Sequence, residues 1–139
     1  MSELRTRLSS TVIGTPDPPG LARFYAALLG WDVVESEPDW AKVRAPGRTT
    51  GLAFQLEDGH VPPSWPGTPG DQQMQLHLDI GANDLDAGVA YAESLGASQA
   101  AYQPQDDVRV MLDPAGHPFC LFADRQGDDD DPPSVAVPR

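Results

Sequence analysis

The sequence predicts an α+β fold made of two β-α-β-β-β modules, and three observations predict it. Tyr25, Leu29 and Gly30 recur as Tyr91, Leu95 and Gly96 at one offset of 66 residues. Asp17 and Asp84 stand ahead of these runs, one residue off that offset. Each helical run follows one extended segment and precedes several short ones with proline–glycine turns between them. A chain built from two copies of one unit places a cleft between them.

The elements follow in order. Leu8 to Thr15 alternates weakly and reads as the first strand. Asp17 caps the helix after it, and Pro18 and Pro19 suit its first turn, where the missing N–H costs nothing. Leu21, Phe24, Tyr25, Leu28 and Leu29 form a stripe at three- and four-residue spacing, and Gly30 ends it. Trp31–Glu35, Trp40–Ala45 and Gly51–Glu57 read as three strands. Asp58 to Asp71 is loop, dense in proline and glycine, and carries His60 and Trp65. Met74, Leu76, Leu78 and Ile80 then alternate with Gln73, Gln75, His77 and Asp79, the pattern of a half-buried strand. Asn83 or Asp84 caps a second helix with Leu85, Val89, Ala92 and Leu95 inward. Ala97–Tyr102, Val108–Leu112 and Phe119–Ala123 are the last strands, the final two joined by the turn Asp113-Pro-Ala-Gly-His-Pro. The first module spans 8–57, a connecting loop 58–72, the second module 73–124, and a tail 125–139 follows. The tail holds Asp128 to Asp131 and three prolines, a composition that reads as disordered.

Composition excludes several classes. Nine Lys and Arg against 21 Asp and Glu give a formal net charge of -12. Such a surface lacks the basic footprint that nucleic acid or an anionic membrane needs. No apolar run approaches the roughly 18 residues of a membrane span. The charged start of the chain has no signal-peptide core, and the single cysteine, Cys120, excludes an internal disulfide framework. The expected compartment is the cytoplasm.

Five stretches resemble the glyoxalase/bleomycin-resistance/extradiol-dioxygenase superfamily, also called vicinal oxygen chelate proteins, and its glyoxalase-like subgroup in particular. They are the run from Thr15 to Trp31 with Phe-Tyr-x-x-Leu-Leu-Gly, then His60-Val-Pro-Pro-Ser-Trp-Pro, Gln73-Met-Gln-Leu-His-Leu-Asp, Asn83-Asp-Leu-Asp-Ala, and Leu112-Asp-Pro-Ala-Gly-His-Pro-Phe-Cys-Leu. The resemblance implies paired modules whose curved mixed sheet surrounds a U-shaped cleft. It implies homodimers and, in active members, a divalent metal that polarises adjacent substrate oxygens. It carries the family's four ligand positions onto Ser10, Gln55, His77 and Cys120. Serine and glutamine are poor ligands, so a metal, if bound, would rest on His77 with Cys120 or Gln55, helped by Asp79 on the same strand face.

The expected function is therefore metal-independent binding of a small molecule, cationic or aromatic, in the manner of bleomycin-resistance sequestration. No cofactor is expected. The alternatives are a lyase, isomerase or dioxygenase using Zn, Ni, Mn or Fe, and a metal-free enzyme with His77 as base. A further alternative is a vestigial cleft on a chain that works through its dimer surface. The candidate binding residues are Ser10, Gln55, Gln75, His77, Cys120, Trp65, His60 and Arg109. His77 also suits proton transfer near neutrality, and Gln55 and Gln75 each offer a donor and an acceptor. Trp65 and His60 suit stacking on an aromatic or cationic group. Cys120, among Phe119, Leu121 and Phe122, reads first as a small buried apolar residue, with a nucleophile or thiolate ligand as the alternative. Arg109 suits a substrate carboxylate or a nearby aspartate, and His117 a brace for its own turn.

Overall fold

In the first module, β1 (Ser10–Thr15) leads into α1 (Pro18–Leu29), followed by β2 (Asp32–Glu37), β3 (Trp40–Arg44) and β4 (Gly51–Leu56). The second repeats that order as β5 (Leu78–Ala82), α2 (Leu85–Ser94), β6 (Ser98–Gln99), β7 (Val108–Leu112) and β8 (Pro118–Ala123). This is a computed structural model, and it describes residues 3–124; the expected tail at 125–139 lies outside the described residues. Each module forms its own four-stranded mixed sheet, in the orders β1-β4-β3-β2 and β5-β8-β7-β6. The first strand of each module runs parallel to the last, and the other pairs are antiparallel. The fold is α+β, as the repeat predicts.

Local chemistry sets the helix ends. The Asp17 side chain accepts from the Gly20 N–H at 3.1 Å, and the Asp84 side chain from the Ala87 N–H at 3.0 Å. Each satisfies one of the donors a helix start leaves open. Gly30 closes α1 at φ 69°, a left-handed conformation that costs a side chain about 1–2 kcal/mol.

The two modules share one core. Leu21, Phe24, Tyr25 and Leu28 of α1 pack with Ala41, Val43, Leu52 and Phe54 of the first sheet and with Met111, Phe119 and Leu121 of the second. The Tyr25 ring stacks on Phe54 at 5.8 Å and meets Phe119 edge-on at 6.0 Å. The repeated tyrosines both reach into the opposite module: the Tyr25 hydroxyl donates to Asp113 Oδ2 at 2.7 Å, and the Tyr91 hydroxyl to the Ala27 carbonyl at 3.1 Å. Strand alternation then turns Ser10, Val12 and Gln55 away from the core on one sheet, and Asp79 and Cys120 away from it on the other.

Two strands are shorter than their sequence pattern suggests. Residues 73–77 alternate but form no strand beyond a single bridge of Gln73 to Ser64, and Leu76 is 79% exposed. The pattern there has no partner, because β8 begins at Pro118 and its register reaches β5 only at Leu78. Likewise β6 stops at Gln99. The Gln103 side chain donates to the carbonyls of Ala100 and Val110 and accepts from the Val110 N–H, and so takes over the hydrogen bonds a longer strand would make.

Candidate functional site

A cavity of about 460 Å³ opens between the modules. The outer edge of β1, from Thr11 to Gly14, forms one wall and the extended stretch from Gln72 to Leu78 the other. Tyr25, His117 and Pro118 also line it, with Glu57, His60 and Pro63 from the stretch that follows β4. The unpartnered run 73–77 is thus legible as a cavity wall.

Hydrogen bonds across the modules fix the cavity. His117 Nε2 donates to the Gly14 carbonyl at 2.6 Å, and His60 Nε2 to the Ala115 carbonyl at 2.7 Å. A carbonyl only accepts, so each ring carries its proton on Nε2. The two rings lie 4.9 Å apart. Beside them Asp113, 4% exposed, takes the Tyr25 hydroxyl on Oδ2 and the Ala115 and His117 N–H groups on Oδ1. Burial lifts the Asp113 carboxyl above its ordinary range, against the opposing pull of the Tyr25 hydroxyl and of His117. Burial first, then the Asp113 charge, pushes the Tyr25 hydroxyl well above 10.0. The His117 ring, expected to brace its own turn, instead reaches the first strand of the other module, while its backbone N–H holds the turn to Asp113. The Tyr25–Asp113 link is invisible in the sequence, which shows only an aspartate in a turn 88 residues away.

His77 borders the cavity and belongs to a second group on the far face of β5 and β8. Asp79 and Cys120 are direct partners in the parallel register, so their side chains share a face, and His77 sits two residues before Asp79. His77 Nε2 lies 3.1 Å from Asp79 Oδ1, and the donor atoms of His77, Asp79 and Cys120 all fall within 4.8 Å of one another. Trp65 lies over the His77 ring at 4.8 Å with a 30° tilt, and Tyr102 meets Trp65 edge-on at 5.9 Å. Burial and then the Asp79 charge push the Cys120 thiol up, so without a cation it is a neutral thiol and a poor nucleophile.

The remaining candidates fall elsewhere. Ser10 pairs with Gly51 and Gln55 with Gly14, both on the first sheet, and Gln55 donates to Glu57 at 3.0 Å. Of the four carried-over ligand positions, Ser10 and Gln55 thus lie on the first sheet, Cys120 on the second, and His77 just ahead of β5. Gln75 lines the cavity beside His77. Arg109 is opposite Leu121, on the core-facing side of its sheet, and donates to the carbonyls of Gln105, Asp106 and Val108. Its side chain is thus tied to the start of β7 and the loop before it, on the face opposite the one that carries Cys120.

Residues 10–122 match the model of the family described as glyoxalase-like domain. A glyoxalase/bleomycin resistance protein/dioxygenase family enzyme from Burkholderia phytofirmans matches with a TM-score of 0.61 and 19% identity, over 84% of this chain and 97% of that one. A variant of the fosfomycin resistance protein FosX from Listeria monocytogenes, complexed with Mn(II) and a dihydroxypropylphosphonic acid, matches with a TM-score of 0.62 and 14% identity, over 87% and 94%. A protein from Agrobacterium tumefaciens matches with a TM-score of 0.58 and 22% identity, over 86% and 98%. At these identities the structures show the fold. No curated protein matches. The chain belongs to the glyoxalase-like domain family. No helix among the described residues is long and apolar enough to cross a membrane.

Proposed function

We propose that this glyoxalase-like chain captures a small aromatic or cationic molecule between its modules, by shape and wall contacts rather than through a metal. The observation that carries the reading is the 460 Å³ cavity, of a size to hold a small ligand. Its apolar lining stands in water: Val12, Val61 and Leu76 are 49%, 60% and 79% exposed. A ligand that covered them would gain about 25 cal/mol for each Å² removed from water. Gln75 and His77 supply polar contacts on the same wall, and Trp65 supplies an aromatic face at its margin. The protein acts in the cytoplasm as a homodimer. Support for the dimer is the division of Ser10 and Gln55 from His77 and Cys120, since a second copy could bring such faces together.

The test is a thermal-shift screen of cationic and aromatic small molecules against the full chain in chelator. Hits are followed by titration against Leu76→Ser and His77→Ala, both exposed positions. Binding in chelator that weakens at least tenfold in either variant supports the reading. Ligands that bind only with added metal would overturn it in favour of a metal-assisted lyase, isomerase or dioxygenase. One observation favours that second reading, the convergence of His77, Asp79 and Cys120.

A further inference from the structure

The two sheets have outer edges at β1, β2, β5 and β6. An unpaired edge invites another strand, and proteins blunt such edges with charge, bulges or short length. Edge β2 carries Asp32, Glu35 and Glu37 and a register shift between Val33 and Glu35. Edge β6 is only Ser98–Gln99, and β5 carries Asp79. Edge β1 has neither a charge nor a proline, and from Thr11 to Gly14 it lines the cavity between the modules. Its hydrogen-bonding parity is fixed. The Gly51 N–H donates to the Ser9 carbonyl and the Glu57 N–H to the Thr15 carbonyl, so the odd-numbered residues from Ser9 to Thr15 point their backbone groups at β4. Val12 and Gly14 therefore point theirs outward. His117 already takes the Gly14 carbonyl, which leaves the Val12 N–H and C=O and the Gly14 N–H. Across the cavity, the backbone groups of Gln75 and Leu76 have no hydrogen-bond partner among the described residues.

We propose that the outer edge of β1 binds a short, extended, cationic peptide by strand addition. The proposal rests on small-molecule capture in this cavity and names the class of the ligand. Main-chain hydrogen bonds to Val12 and Gly14 supply the attachment. At about 3.3 Å per residue, the wall from Thr11 to Gly14 matches roughly four extended residues. Charge sets the sign of the ligand. Glu57 is the only Asp, Glu, Lys or Arg that lines the cavity. Its stem lies over Gly14, where an added Cβ would come within 2.8 Å of the Glu57 Cγ. The Gln55 side chain holds Glu57 Oε1 at 3.0 Å, leaving Oε2 for a cation on the peptide. His60, Val61 and the stretch 72–78 wall the edge in, which favours a short segment over the long strand of a second copy.

The probe is a tetrapeptide of alternating lysine and valine, capped at both ends, titrated into isotope-labelled full-length chain in chelator. Amide exchange should slow about tenfold at Val12 and Gly14 and stay unchanged at Thr11 and Ile13, whose N–H groups already bond β4. Val12→Pro removes one edge N–H and spares the β4 ladder, so it should keep its far-UV spectrum and bind the peptide about tenfold more weakly. Glu57→Gln should weaken binding about threefold to fivefold, and a glutamate–valine tetrapeptide should bind more weakly than the lysine one. Should Val12→Pro fail to fold, the alternation of protection in the wild type decides. No peptide binding, protection without that alternation, or full affinity in a folded Val12→Pro or in Glu57→Gln would overturn the proposal. So would protection of Val12 and Gly14 in the free protein that grows with concentration, which would put a second copy on the edge. Benzyltrimethylammonium, an aromatic cation without an amide, separates the two readings. If it binds in chelator and the peptide does not, strand addition fails and small-molecule capture stands; if neither the peptide nor any cationic or aromatic molecule binds, both fail.

Discussion

Replacing Tyr25 by Phe removes one oxygen from the joint between the modules and leaves nearly all the packing in place. The Phe ring keeps the stack on Phe54 and the edge contact with Phe119, so no cavity term arises. What is lost is the 2.7 Å hydrogen bond to Asp113, a carboxyl 4% exposed whose other oxygen is already taken by the Ala115 and His117 N–H groups. A hydrogen bond to a charged group contributes about 1.5–3 kcal/mol, and that is the expected loss in urea unfolding at neutral pH. For a domain of this size the melting temperature should fall by roughly 5–10 °C. The pH dependence has a definite sign. Because burial raises the folded Asp113 carboxyl above 3.8, the folded state holds its proton more tightly than the unfolded chain does. Stability from this group is therefore complete below the unfolded value and is lost as pH rises through the folded one. The Tyr25 hydroxyl opposes that shift, so its removal pushes the carboxyl higher still. The deficit of the variant should be largest where Asp113 is ionised and should shrink as pH falls through its folded value. A deficit below about 0.5 kcal/mol at neutral pH, or one that pH leaves unchanged, would refute the assigned link.

The corresponding change in the other module is the natural control: Tyr91→Phe loses a bond to the neutral Ala27 carbonyl and should cost about 0.5–1.5 kcal/mol in urea unfolding, with no comparable pH dependence. Gly30→Ala forces a side chain into φ 69° and should cost about 1–2 kcal/mol in the same assay. His60→Ala releases the loop from the Ala115 carbonyl, so limited proteolysis within 58–72 should quicken while far-UV circular dichroism holds. Light scattering on a sizing column should give the mass of two chains; a monomer at micromolar concentration would count against the proposed dimer.

Much of the fold is legible because its signals are local and repeated. Asp17, the two prolines and Gly30 mark α1 by caps alone, and the tyrosine–leucine–glycine offset gives the second helix. Legibility ends where partners decide. Residues 73–77 carry a strand's alternation, yet alternation states which side chains share a face and not whether another strand lies alongside. The same limit applies to the site. Parity placed Gln55, His77 and Cys120 opposite the apolar faces of their strands, and the observed register covers Gln55 and Cys120 while His77 falls just ahead of β5. It could not say that Gln55 and Cys120 belong to different sheets. Asp79 gains its place from pairing with Cys120, a register set by strands 41 residues apart in the chain. Arg109 reads as a substrate anchor because it is one cation on a strand, and the sequence could not show that Val108 and the loop before it supply three carbonyls within 3.5 Å.

The repeat is broken at the joint, and the break explains why the cavity has one set of walls. In the second module the turn before the last strand is Asp113-Pro-Ala-Gly, and its aspartate receives Tyr25. The corresponding stretch of the first module runs Ala45-Pro46-Gly47 and offers no carboxylate. Tyr91 accordingly ends on a helix carbonyl, a weaker and uncharged partner. The Asp113 turn also carries His117 to Gly14 and Ala115 to His60, so one end of the cavity is fixed by a polar cluster. The opposite wall, 73–77, is held by the Gln73 bridge to Ser64 and, at its end, by His77 against Trp65 and Asp79. Two copies of one unit thus give a cavity with one rigid side and one lightly held side. Ligand-dependent change should therefore concentrate in 72–78 and spare 113–118, a contrast that hydrogen exchange with and without a bound ligand would measure directly.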